Sequence, residues 1–395
     1  MKKNSEINFG LGLGNSHYTN ETYRPVSLAD GTVFPFEYNS DLNFLKFSIF
    51  SQLTNQFLNE RLVTSLGIRT DFNNYSKVNL NPLSQLSPRI SVGYYLNSNL
   101  KYSFNTGIYY QLPPLTVLGF RDENNNLVNK ENNVKYIQSK QIVTGFEYIT
   151  KSNTKITLEG FYKHYENYPF LIRDSISLAN LGADFGVIGD EEVTSSSIGR
   201  AFGMEFFTQR KLTDGIYGLL SYTLSWSQFE DKNFEYTPSS WDQRHIINIC
   251  AAKRFKRNWE LGFKWRYTSA NPFTPYNETS SMSQDYWDVF GQGLLDYELL
   301  NTERNKPFHH LDIRIDKKYY FKNWTLNFYF DFENVYNKVA YLSPYLTVVR
   351  DDLGNPIEDP NNPGFYIPKY IDIGQKYAKH ICINTTKIQT NQSIL

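Results

Sequence analysis

The stretch from Trp259 to Tyr267 restricts the fold more than any other part of the chain. Apolar and aromatic residues occupy every second position there, and glycine or charged residues occupy the positions between them. Successive side chains of an extended strand point to opposite faces, so this alternation predicts a strand with one apolar and one charged face. A soluble core or a lipid bilayer could cover the apolar face, and the surrounding sequence decides between them.

The same alternation recurs along the chain, in pairs of segments joined by short turns. We predict about thirteen strands and a poorly formed fourteenth from this pattern. The first strand is predicted near residues 4 to 14, followed by a loop to about residue 40. Later pairs are joined by the short turns QFLNER, NS, KSN, LTDG, FKRN and FKN, which are typical of antiparallel hairpins. Each strand approaches or exceeds the roughly 9 to 11 residues that a tilted strand needs to cross a bilayer.

The loops alternate in length along the chain. Each short turn is followed by a longer connection, such as residues 111–138, 166–197 and 269–306. A sandwich or propeller would not be expected to keep two loop lengths at alternate ends, whereas outer-membrane barrels have short periplasmic turns and long external loops. The sequence therefore predicts an all-β fold, an antiparallel transmembrane β-barrel, with long loops that serve function.

Composition agrees with this fold class. Aromatic residues make up 16% of the 395 residues, although the chain is polar overall. No apolar run reaches the roughly 18 residues of a transmembrane helix. The net charge is +0 without a dominant basic stretch, which argues against nucleic acid as a partner. The two cysteines, Cys250 and Cys382, make no disulfide framework and indicate no metal site.

Several segments together resemble the β-barrel of TonB-dependent receptors, the energised transporters of the outer membrane in bacteria with two membranes. The matching runs are LSPRISVGYYL, GIYYQLPPLTVLGF, EGFYKHYENYPF, ISLANLGADFGVIGDEEV, GRAFGMEFF, PSSWDQRHIIN, NWELGFKWRYTSANPFTPYN, LDIRIDKKYYF and ENVYN. The resemblance implies a receptor that takes up a scarce small-molecule, glycan or peptide ligand, such as an iron-siderophore complex or a vitamin. It implies outer-membrane lipid and the TonB complex as partners, with no enzyme activity and no cofactor.

The resemblance also predicts what lies at the two ends. Such receptors carry an amino-terminal plug, through which TonB acts, inside a barrel of about 22 strands. We therefore expect residues 1–370 to be the carboxy-terminal portion of a partial barrel, without the plug. Residues 371–395 are expected to be an atypical tail in place of the closing strand. The start, MKKNSEINFGLGLG, lacks the apolar core of a signal peptide and would not direct export.

Two groups of residues are predicted to bind the ligand. One lies at the external end of a strand, and the other lies in the centre of the 269–306 loop, whose ends are held by well-patterned strands. The predicted residues are Tyr109, Tyr110, Asp285, Tyr286, Trp287 and Asp288. Aromatic rings beside carboxylates suit a sugar, an aromatic chelate or a peptide. In the alternative interpretation, these aromatics pack against neighbouring loops or lie at the membrane interface.

A third group is predicted to line the barrel lumen. These residues share the polar faces of two strands, and they are Glu260, Lys264, Arg266, Asp312, Arg314 and Asp316. The pattern is compatible with a solvated wall of mutually paired charges or with a track for the substrate.

Other motifs give weaker hypotheses. Asp242 and His245 suggest a hydrolase, but no Gly-x-Ser-x-Gly elbow accompanies them, and a polar strand start explains Trp241, Asp242, Arg244 and His245. Two alternative functions stay open for the chain as a whole. One is a passive porin of fourteen strands, and the other is a barrel-embedded lipid hydrolase. His309 and His310 are adjacent, so a strand would point them to opposite faces, which argues against one metal site.

Glycine-rich segments are the last motifs. GLGLG at residues 10–14 lacks the Lys-Ser or Lys-Thr of a phosphate loop, and we interpret it as a strand with small residues. Glycine and acidic residues alternate in residues 182–193, where calcium is an alternative even though the spacing is not that of an EF-hand.

Overall fold

The structure is a computed structural model that describes residues 5–27, 32–182, 189–376 and 381–389. Strands dominate these residues, and none of the helices in them is long and apolar enough to cross a bilayer. The strands are β1 (Ser5–Ser27), β2 (Val33–Phe57), β3 (Leu62–Asn73), β4 (Ser87–Tyr95), β5 (Leu100–Gln111), β6 (Ile137–Ile149), β7 (Thr154–Leu171), β8 (Ile176–Ser177), β9 (Val193–Thr213), β10 (Ile216–Glu230), β11 (Tyr236–Pro238), β12 (His245–Arg254), β13 (Trp259–Thr268), β14 (Pro272–Phe273), β15 (Glu303–Arg304), β16 (Phe308–Tyr320), β17 (Trp324–Phe332), β18 (Val339–Tyr341), β19 (Tyr345–Val348), β20 (Pro368–Ile371), β21 (Gly374–Lys376) and β22 (Ile381–Gln389).

One large sheet contains the long strands. Its path through the described residues is β1-β2-β3-β4-β5-β6-β7-β9-β10-β12-β13-β16-β17-β22, and β8 and β11 pair beside it. Neighbouring strands along the path are antiparallel. Within the described residues, β1 and β22 do not pair with each other, so the sheet is an open barrel wall. The predicted all-β, antiparallel, partial barrel is confirmed.

The two faces of this sheet differ as the alternation predicts. In β17, Phe328, Phe330 and Phe332 are exposed on one face. Across β13 and β16, Phe263 lies opposite Ile313, and the next pair brings Lys264 opposite Asp312. An apolar face that the protein leaves uncovered is the face that a barrel presents to lipid, and the polar face then lines the lumen.

The short turns have the chemistry that tight hairpins need. Between β9 and β10, Asp214 and Gly215 both adopt positive φ angles, 53° and 75°. Two such residues in succession are required by the type I′ turn, whose twist matches that of the flanking strands. The Asp-Gly pair therefore closes this hairpin at its predicted position.

The first hairpin is longer than predicted. The expected loop from about residue 14 to 40 was wrong, because β1 and β2 continue to pair up to Ser27 and Val33. The extension is supported on its inner face, where Tyr38, Leu42 and Phe44 are buried. Loops from other hairpins cover these side chains, and local alternation carries no information about such contacts.

The long loops contain the helices and the hydrophobic core. The described α-helices are α1 (Lys77–Leu80), α2 (Leu115–Leu118), α3 (Val128–Glu131), α4 (Glu278–Met282) and α5 (Gln284–Phe290), and 3₁₀ turns span Pro82–Gln85, Leu178–Leu181, Lys256–Asn258 and Tyr297–Leu299. The larger buried cluster joins Leu42, Phe44, Tyr75, Val117, Leu118, Val134, Leu171, Leu178 and Val193. The core therefore lies among the loops on the β1–β2 extension.

The carboxy-terminal segment joins the sheet. β22 pairs with β17 from Trp324 opposite Gln389 to Phe332 opposite Ile381. Residues 377–380 and 390–395 of the predicted tail lie outside the described residues. The division at residue 370 stays a prediction.

Candidate functional site

The first loop cluster consists of residues 111–136, 171–182 and 189–193, packed on the β1–β2 extension. Buried hydrogen bonds hold it: the Tyr75 hydroxyl donates to the Leu118 carbonyl at 2.7 Å, and the Tyr38 hydroxyl donates to the Gly119 carbonyl at 2.9 Å. The Asn129 amide donates to the Val117 carbonyl at 2.7 Å and accepts from the Val193 backbone N–H at 2.9 Å. Satisfied polar groups in an apolar cluster favour one loop arrangement. These polar contacts join distant segments, and the sequence carries no periodic signal for them.

The second loop cluster consists of residues 269–306 and 333–373. Its buried centre is formed by Met282, Trp287, Leu346 and Val348. Trp287 is only 2% exposed, and the Tyr366 hydroxyl donates to Asp288 Oδ1 at 2.8 Å. The 269–306 loop is therefore an ordered unit that contains the helices α4 and α5.

The predicted binding residues of α5 have different environments. Trp287 is buried, so the structure favours its packing role, which the sequence left as an alternative. Asp285 is exposed and Tyr286 is half-buried, with its ring centroid 4.7 Å from that of the exposed Phe290. Burial also raises the pKa of the Tyr286 hydroxyl, which stays protonated and able to donate. A ligand-binding role for Asp285, Tyr286 and Asp288 stays a prediction.

Tyr109 and Tyr110 lie at the end of β5 that leads into the long loop before β6. The Arg89 guanidinium is 4.5 Å from the Tyr109 ring centroid, and Gln138 donates to the Tyr110 hydroxyl at 2.5 Å. Five strands separate β5 from β13 along the sheet path. These tyrosines and α5 therefore belong to different parts of the wall, and their common ligand-binding role stays a prediction.

The predicted lumen residues lie on one face of β13 and β16, where charges pair. Asp312 is 3.7 Å from Lys264, and Arg314 is 2.9 Å from Asp316. Arg266 belongs to the same face, opposite His310.

Glu260 continues this network toward the short turns. It is 2.7 Å from Arg254 and 3.9 Å from Lys318, and it accepts from the Tyr217 hydroxyl at 2.8 Å. These contacts match the paired-wall interpretation, while a substrate track through this face remains a prediction.

Asp242 anchors the second loop cluster. Its side chain is fully buried, 2.6 Å from Arg244 and 2.5 Å from Arg304, and it accepts from the Ser227 backbone N–H at 2.8 Å. His245 Nδ1 instead lies 2.9 Å from the Tyr222 hydroxyl. Asp242 therefore binds arginines rather than His245, and the pair on which the hydrolase alternative rested is not formed. Sequence reasoning missed Arg304, which is far from Asp242 in the chain.

The histidine and glycine motifs are placed as follows. His309 contacts the Tyr336 hydroxyl at 2.7 Å, while His310 lies 3.4 Å from Asp312 on the other face. In the part of the chain that the structure describes, no group of three or more side chains is arranged to hold a metal ion. The segment considered for calcium includes residues 183–188, which lie outside the described residues.

The fold and these faces define a class of protein. The sheet is antiparallel, uncovered and apolar on one face and charged on the other, with short turns at one end and ordered loop clusters at the other. This is the arrangement of an outer-membrane β-barrel wall with external loops.

A family model described as "TonB dependent receptor-like, beta-barrel" matches residues 2–335. The chain belongs to this family. Receptors of the family are outer-membrane proteins that bind small-molecule ligands and TonB. Comparison with curated protein sequences gives no match.

Solved structures of transporters share the fold. The ferric-catecholate import receptor Fiu of E. coli K12 is similar with a TM-score of 0.57 and 12% identity, over 93% of this chain and 50% of that one. The iron transporter FrpB of Neisseria meningitidis has a TM-score of 0.55 and 11% identity, over 98% and 52%. FpvA of P. aeruginosa, bound to a pyoverdine with iron, has a TM-score of 0.56 and 15% identity, over 94% and 44%. The chain thus spans about half the length of these structures.

Proposed function

We propose that this chain forms part of the barrel wall and the external loops of a receptor for TonB-energised uptake of a scarce ligand across the outer membrane. The observation that carries the proposal is the arrangement of two ordered loop clusters at one end of a sheet whose inner face is charged. Loops held on a rigid wall are where binding residues are usually found.

In this proposal, the loop clusters and the inner face of the sheet have different roles. The loop clusters capture the ligand outside, and the paired charges of β13 and β16 keep the inner face polar and solvated, so that a polar ligand can move along it. Force from the TonB complex, transmitted through a plug in the complete receptor, opens the path. The chain's own residues need to bind and release the ligand, and no covalent step is required.

The ligand class is proposed from the exposed side chains of α5. Tyr286 and Phe290 offer adjacent aromatic rings, and the exposed carboxylate of Asp285 is close in sequence to them. This combination suits a siderophore, a vitamin, a glycan or a peptide. The structural neighbours include receptors of iron chelates, and an iron-siderophore complex is therefore the first ligand to test.

The test replaces the exposed aromatic surface in the complete receptor. Tyr286→Ala combined with Phe290→Ala should weaken ligand binding by at least about tenfold, or roughly 1.4 kcal/mol. Binding to purified receptor and uptake by cells are the measurements.

Tyr148→Ala is the matched control, because Tyr148 is also an exposed aromatic residue but lies next to a short turn. It should leave both binding and uptake unchanged. Unchanged affinity in the double variant, with normal assembly, would remove α5 from the binding site.

A further inference from the structure

A cavity of about 520 Å³ lies on the inner face of the first strands. Its walls come from five successive strands, β1 to β5, and its lining includes Gly14, Lys46, Arg69, Asp71, Arg89 and Tyr110. Along β2, Lys46 follows the buried Phe44 on the same face, so the cavity lies directly below the first loop cluster. This is where a ligand passing that cluster would next meet the wall.

The cavity carries an excess of positive charge. Three cations, Lys46, Arg69 and Arg89, face one carboxylate, Asp71, which gives a net charge of +2. Both oxygens of Asp71 accept from the Arg69 guanidinium at 2.6 Å. Among the described residues, no carboxylate lies within 4.0 Å of Lys46 or Arg89. These two cations are therefore the groups that an anion can approach.

The GLGLG motif explains why the space is open. Gly12 and Gly14 of β1 lie opposite Ser48 and Lys46 on the face that lines the cavity. A Cβ atom at Gly14 would have its nearest neighbour, Lys46 Cε, at 4.0 Å. The absence of side chains on this part of β1 thus leaves room beside the cations, which a larger residue would fill.

A hydroxyl group at the upper edge of the cavity is held in place. The Tyr136 hydroxyl accepts from the Asn73 amide at 2.8 Å. A tyrosine hydroxyl that already accepts a hydrogen bond keeps its proton available for a ligand oxygen. This hydroxyl and the cations therefore converge on one side of the cavity.

We propose that this cavity is an anion subsite that binds a small molecule carrying two or more carboxylates. Arg89 and Lys46 bind the carboxylates, and the Tyr136 hydroxyl donates to them. Arginine matches carboxylate geometry, and the half-buried position of Arg89 strengthens its attraction relative to water, while Lys46 is exposed. The volume lies within the range of small-molecule pockets and far exceeds that of a single inorganic anion. The inference rests on the proposed function, since it names a ligand chemistry for the same receptor.

The test uses the complete receptor purified in detergent micelles, with citrate as the probe. Citrate binding is measured by calorimetric titration, and glycerol serves as an uncharged comparison. Arg89→Gln should weaken citrate binding at least about tenfold, since it removes one of the two accessible cations. Gly14→Leu should weaken binding similarly, because the new side chain fills the cavity. High salt should also weaken it through screening.

Gly160→Leu is the matched control for the glycine variant. A Cβ there meets only the Gly203 carbonyl oxygen, at 3.9 Å, and Gly160 lies in β7, away from the cavity. This control should bind citrate like the unmodified complete receptor. Where Gly14→Leu does not fold, Lys46→Gln takes its place, with the same expected loss.

Two results would overturn the proposal. One is citrate binding no stronger than glycerol binding in the unmodified complete receptor, and the other is equal citrate affinity in Arg89→Gln. Neither bears on the Tyr286 and Phe290 uptake experiment, so failure of the subsite and failure of the uptake function can be told apart.

Discussion

At the scale of single residues, the decisive property is the face to which a side chain points. Phe328 is exposed on the apolar face of β17, whereas its neighbour Asn327 donates to Asp316 at 3.0 Å on the polar face. The two positions share one strand and one depth, yet we expect one to meet lipid and the other water. A charged substitution, which is tolerated only where water surrounds the side chain, therefore distinguishes the two positions.

Phe328→Arg should destabilise the complete barrel by roughly 2 to 4 kcal/mol, because a guanidinium in the middle of the bilayer is costly. Asn327→Arg should be nearly neutral, since its charge lies in the polar lumen beside Asp316. A refolding titration with denaturant in lipid measures both. Equal losses at the two positions would show that the faces are assigned wrongly.

At the scale of elements, the long loops behave as packed units rather than as free connections. Trp287 packs in the buried centre of the 269–306 loop. Near the end of the loop, Arg304 forms an ion pair with Asp242. Both contacts join it to segments distant in sequence. Its stability therefore depends on a few buried side chains, while its exposed ones remain available to a ligand.

Trp287→Ala should destabilise this loop cluster by about 3 to 5 kcal/mol, because it empties the centre of the packing. Limited proteolysis of the folded barrel should then cut residues 269–306 much faster. Val289→Ala, on the same helix but exposed, is the control and should leave the cleavage rate unchanged. A normal cleavage rate in Trp287→Ala would contradict the packing role.

At the scale of the whole molecule, the open sheet has two free edges, on β1 and β22. Backbone groups on such edges need partners, and the lipid interior provides none. A barrel solves this by pairing its first strand with its last. The described residues contain no such pairing.

We therefore expect that the chain, refolded alone in detergent, shows no compact band on a gel whose mobility changes on boiling. A complete barrel of the same family, treated identically, is the positive control and should show the change. A sharp compact band that shifts on boiling would mean that β1 and β22 do close the sheet.

The sequence by itself determined most of the long strands, the alternation of their faces and their short turns, but not the extension of β1 and β2. Alternation and the Asp-Gly turn are local, because a strand's side chains point to opposite faces whatever lies beyond them. This rule alone placed Lys264, Asp312 and Arg314 on one polar face, and their position in the lumen stays a prediction. The ligand-binding assignment of Tyr109, Tyr110 and α5 remains a prediction from loop position and residue type.

Only the tertiary structure decided how the loops fold. The β1–β2 extension, the buried position of Trp287 and the bond from Arg304 to Asp242 all depend on contacts between segments far apart in the chain. The cavity beside Gly14 likewise exists because β1 to β4 bring Lys46, Arg69 and Arg89 to one place. Such contacts have no period along the chain, and the stability that they confer arises only when packing excludes water from them.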